Sequence, residues 1–128
     1  MSYYFSKIVD DDFEAAIERV TARLAEAGFG VLTTIDVSGT LKKKIDVDFQ
    51  RYTILGACNP GFAYKALQAE DKIGTMLPCN VIVQETGDGK VEVAAVDPMA
   101  SMMAIENEAL GEVAAEVQAM LKNVIESV

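Results

Sequence analysis

The sequence predicts an α+β domain: one sheet with elements in β-α-β-α-β-α-β-β-α order, and two long helices on one face of it. Three observations carry this expectation. Five short segments are rich in β-branched and aromatic residues and bounded by turn chemistry. Two longer segments, 11–27 and 108–126, each carry an apolar stripe at helical spacing and charge on the other side. Between the last two strand-like segments stands Gly87-Asp88-Gly89, which reads as a hairpin turn.

Each element has its own local reason. Tyr3 to Val9 alternates apolar with polar residues, as a half-buried strand does. Asp10, Asp11 and Asp12 then provide an N-cap and favourable negative charge for a helix in which Phe13, Ile17, Val20 and Leu24 share a face. Gly28 permits the left-handed turn that ends it. In the second strand Phe29, Val31, Thr33 and Ile35 alternate with Gly30, Leu32 and Thr34. Thr40 to Ile45 reads as a short helix with Leu41 and Ile45 stacked, its three lysines being a solvated face.

Tyr52 to Cys58 is a nearly all-apolar strand, expected to be central. Asn59 and Pro60 follow as N-cap and first-turn proline of a helix running to about Ala69, with Phe62 and Ala66 inwards and Leu67 a further candidate. Thr75 to Thr86 reads as a long strand interrupted at Pro78, and Lys90 to Val96 as its hairpin partner. Asp97-Pro98 starts a short helical segment that places Met99, Met102 and Met103 on one face. Asn107 caps the last helix, whose stripe is Leu110, Val113, Val117, Leu121 and Val124.

Composition narrows the function. The 128 residues suit one domain, 1–128, able to bury a core without disulfides. Twenty acidic against eleven basic residues leave a net charge of −9, which disfavours phosphate backbones and anionic lipid. No nucleic-acid or membrane partner is therefore expected. With no histidine in the chain, most triad, general-base and zinc chemistry is absent. The N-terminal stretch lacks the basic start and long apolar run of an export signal, so a cytoplasmic location with two reduced thiols is expected. The apolar excess in a small chain and the methionine cluster predict a homodimer.

The residues able to carry chemistry are Cys58 and Cys79, each followed by asparagine where a strand meets an irregular segment. Cys58 also precedes a helix N-terminus, which stabilises a thiolate if the sulfur points at its free amides. Free strand cysteines are commonly small core residues, and these two lack C-x-x-C spacing. If the methionine segment returns to them, thioethers would complete a copper(I)-type site.

The strings Tyr52-Thr53-Ile54-Leu55-Gly56-Ala57-Cys58-Asn59-Pro60, Ala63 to Leu67, Leu77-Pro78-Cys79-Asn80-Val81 and Asp97-Pro98 resemble the domain of unknown function 302 family, over nearly the whole chain. The resemblance implies a small α+β domain with a fold similar to that of the TATA-binding protein, and a homodimer. It brings no established activity or cofactor. It marks Cys58, Asn59, Pro60, Cys79 and Asn80 as ligand-binding candidates. The leading reading is a non-enzymatic binding module for a small molecule or soft metal near the two cysteines. A cysteine-dependent enzyme or redox carrier is one alternative, and a structural or protein-interaction domain with core cysteines is the other.

Overall fold

In the computed structural model, which describes residues 2–128, period-two burial in the strands and period-3.6 burial in the helices meet in one apolar layer. The first strand, β1, spans Tyr4–Val9, and helix α1 spans Phe13–Glu26. Asp12 caps α1 by accepting from the Ala15 amide at 2.8 Å. The far end is a Schellman turn: Gly28, at φ +90°, donates to Ala25 O, and Phe29 donates to Leu24 O. Phe13, Ala16, Val20 and Leu24 are buried, so Ala16 takes the place expected of Ile17, which is only partly covered.

Strands β2 (Gly30–Asp36), β3 (Tyr52–Cys58), β4 (Cys79–Glu85) and β5 (Val91–Val96) join β1 in one sheet, ordered β1-β5-β4-β3-β2 and antiparallel at every pairing. The hairpin through Gly87-Asp88-Gly89 forms as expected, with the Thr86 amide donating to Lys90 O. Helices α2 (Val37–Ile45), α3 (Pro60–Ala69), α4 (Pro98–Ser101) and α5 (Glu108–Ser127) complete the order. The α+β class and the placement of both long helices on one face hold. Leu55, Ala57, Val81, Val83, Val93 and Ala95 meet Val20 and Leu24 of α1 and Val117, Leu121 and Val124 of α5 in a single core. Lys7 reaches under this layer and donates to the Glu126 and Val128 carbonyls, a cation on the carbonyl end of α5.

The structure corrects several local expectations. A bulge between Val31 and Thr33 reverses the alternation of β2: Val31 pairs with Ala57 on the core side, whereas Thr33 pairs with Gly56 and Ile35 with Ile54 on the other. The chain is not a strand from Thr75. Asp71–Met76 is a 3₁₀ helix anchored by buried Ile73, and the ladder begins only after Pro78, which has no N–H to give it. Strand β3 is interior but one place off the centre, which β4 holds. No residue of α2 is buried and Ile45 is 63% exposed, so the expected stacked pair builds no core. Leu67 faces outwards. Helix α4 ends at Ser101, so Met99, Met102 and Met103 share no helical face, and Met103 is 72% exposed.

Gly56 is required by close approach. A Cβ there would stand 2.2 Å from Thr33 Oγ1 and 2.8 Å from Pro78 Cγ. Gly56→Ala should therefore lower the unfolding free energy by about 1–3 kcal/mol, read by urea denaturation at unchanged far-UV dichroism. Wild-type stability in that variant would mean the Pro78 segment gives way freely.

Candidate functional site

At the end of the sheet where β3 stops and β4 starts, the two cysteines come together. Cys79 pairs across the ladder with Ala57, the residue before Cys58. Both line one cavity of about 40 Å³, closed by α3, α5 and the segment after β5. The local reasons are legible. Asn59 leaves β3, and its Oδ1 accepts from the Phe62 amide at 3.3 Å, starting α3 directly after Cys58. A Cβ on Gly28 would lie 3.0 Å from Asn59 Nδ2, so the turn after α1 packs against the same cap.

Met102, a third sulfur-bearing residue, lines the cavity too. Its approach is fixed from both sides. Buried Asp97 caps α4 through the Met99 amide at 3.0 Å and accepts from Gln118 Nε2 of α5 at 3.1 Å. Met102 itself packs with Ile73 and Leu110. The other walls are apolar apart from Asn59, among them Phe29, Phe62, Leu77, Leu110 and Val117. Sequence patterning turned Phe62, Leu110 and Val117 inwards but did not bring them to the cysteines; only the meeting of α3 with α5 makes them neighbours.

The five candidate residues divide. Cys58, Asn59 and Cys79 line the cavity, and Pro60 is outside it as the first residue of α3. Asn80 points away: Cys79, Val81 and Val83 pack towards α1 and α5, so Asn80 emerges on the opposite face of the sheet. There it borders a separate groove with Tyr3, Tyr52 and Glu92.

Electrostatics define what the sulfurs can do. Burial, and then the neighbouring Cys58, pushes the Cys79 thiol up from an ordinary 9.0 to about 11. At neutral pH it is a protonated thiol and a poor nucleophile. No carboxylate, lysine or arginine lines the cavity to serve as a base. Among the described residues, no group of three or more His, Cys, Asp or Glu side chains is placed to hold a metal ion. A ligand set here would consist of sulfur alone.

The raised thiol has a consequence for stability. Folding favours the protonated form, so its contribution is complete below about pH 9 and is lost as pH rises through about 11. Wild type should therefore lose stability over that window more steeply than Cys79→Val, measured by urea midpoints at matched ionic strength. Parallel pH profiles for the two proteins would refute the burial of that thiol.

The comparisons with known proteins agree with the fold. The chain is similar to the crystal structure of an uncharacterized conserved DUF302 protein from Bacillus stearothermophilus, with 28% identity, 98% of each chain covered and a TM-score of 0.91. No curated protein matches it in sequence. No helix among the described residues is long and apolar enough to cross a membrane. Residues 5–128 match the family described as Domain of unknown function DUF302, and the chain belongs to that family.

Proposed function

We propose that the protein is a non-enzymatic binding module for a soft, low-coordinate metal ion, copper(I) being the representative, held by Cys58, Cys79 and Met102. The observation that carries this reading is the lining of one cavity by two cysteines and a methionine from three separate chain segments. Thiolate and thioether ligands select copper(I) over harder ions, and an all-sulfur set offers zinc too few donors.

Cavity size supports an ion over an organic ligand. At about 40 Å³ the space admits a few water-sized groups, whereas pockets for drug-sized molecules run to about 300–1,000 Å³. Binding would release the thiol protons, and the raised Cys79 thiol makes affinity rise with pH. That same protonation, with no base at hand, weighs against a nucleophilic enzyme. One observation favours a purely structural role instead: Cys79 packs against the main core.

Anaerobic titration with copper(I) against a chromogenic chelator separates these readings. The expected result is one ion withdrawn per chain, no comparable zinc binding, and affinity reduced at least ~100-fold in Cys58→Ser and in Cys79→Ser, since loss of a direct ligand exceeds the 10–100-fold cost of losing its supporting partners. A wild-type chain that leaves the chelator fully loaded would reduce the cysteines to core residues.

A further inference from the structure

We infer that the groove across the sheet from the cysteines is a binding site for a small organic cation, an alkylated ammonium of the size of choline. This goes beyond the copper reading, because the groove and the cysteine cavity share no residue. At about 410 Å³ the groove falls within the range of small-molecule sites, about 300–1,000 Å³.

Strand register builds it. One cross-strand row reads Glu92, Gln84 and Tyr52 over β5, β4 and β3, and beside it Ala94 and Ile82 form an apolar floor. The other side is closed by Tyr4, paired with Val96, and by Tyr3, whose carbonyl accepts from the Asp97 amide at 2.8 Å. Three of the four tyrosines of the chain thus line one groove. The Tyr3 and Tyr4 rings stand 5.1 Å apart at 75°, a right-angled aromatic corner. Aromatic corners of this kind attract cations to the ring faces, and quaternary ammonium ligands are their established guests.

Charge selects the same ligand. Glu92 is half-buried, and among the described residues no lysine or arginine pairs with it. Gln50 donates to Gln84 at 2.7 Å and Gln84 donates to Glu92 Oε1 at 2.8 Å, so two amides hold the carboxylate in place. A partly desolvated carboxylate without a counter-ion is destabilising, and a bound cation supplies the missing charge. The Tyr52 phenol feels the same field. Burial first, then Tyr3 and Glu92, push it up from its ordinary 10.0, so the groove resists further negative charge. One carboxylate offers too few oxygens for a hard metal ion, whereas the floor of Ile82 and Ala94 suits N-methyl groups.

Titration of choline into the metal-free full chain, followed by proton NMR, tests the inference. The N-methyl signal should move upfield through the tyrosine ring currents and saturate, with affinity at least ~10-fold above that of the uncharged isostere in which carbon replaces nitrogen. Glu92→Gln and Tyr3→Leu should each weaken binding about 3–30-fold, while Tyr3→Phe retains it and Tyr64→Leu, on α3, leaves it unchanged. Tyr3 is 69% exposed, so its variants keep the fold even where Glu92→Gln disturbs the amide chain. Cys58→Ser and Cys79→Ser should leave choline binding intact, which separates this site from the copper reading. Equal affinity for choline and its isostere overturns the assignment, as does a shift that survives both Glu92→Gln and Tyr3→Leu. So does the lack of any saturable shift below ~100 mM.

Discussion

One-sided burial of β3, β4 and β5 governs this molecule. Leu55, Ala57, Val81, Val83, Val93 and Ala95 all turn beneath α1 and α5, and each large aliphatic side chain so covered contributes about 1.5–3 kcal/mol. Because the side-chain period of a strand is two, covering one set turns the other towards the opposite face. The core, the charge-poor opposite face and the location of Cys79 follow from that parity. The helices are sited by the same layer: both long ones present a single apolar stripe, and a sheet with one covered face is the surface that satisfies both.

Parity also decides the chemistry of Cys79. It is the first residue of β4 and belongs to the covered set with Val81 and Val83, so its thiol is desolvated and its acidity suppressed. Its neighbour Asn80 belongs to the open set. Two residues adjacent in the chain therefore serve opposite surfaces, and a repeated Cys-Asn pair does not make a repeated site. Asn59 joins the cavity by a different route, as the cap that turns the chain from β3 into α3.

Much of this was legible in the residues. Asp12, Asn59 and Asn107 each cap the helix expected of them, and Gly28 adopts the positive φ that its position demands. Local hydrogen-bonding chemistry announces itself locally. The bulge at Leu32 did not, because an inserted residue leaves composition unchanged while reversing which of Thr33 and Thr34 faces the core. The 3₁₀ turn at Asp71–Met76 was hidden for another reason: Ile73 is buried by α3 and α5, a tertiary anchor that no window of sequence contains. The cavity is the extreme case, since its walls come from six stretches of the chain.

The cavity is also held more firmly than its short flanking elements suggest. Helix α4 is a single turn, yet Asp97 ties its start to Gln118, and Asn107 Nδ2 donates to Ala69 O at 2.8 Å, joining the cap of α5 to the end of α3. Buried polar bonds of this kind are costly to leave half-made, so each fixes a backbone position that apolar packing alone would leave adjustable. Met102 lies between these two ties, with Ile73 and Leu110 against it. Packed there and partly buried, Met102 lines the same cavity as the two cysteines.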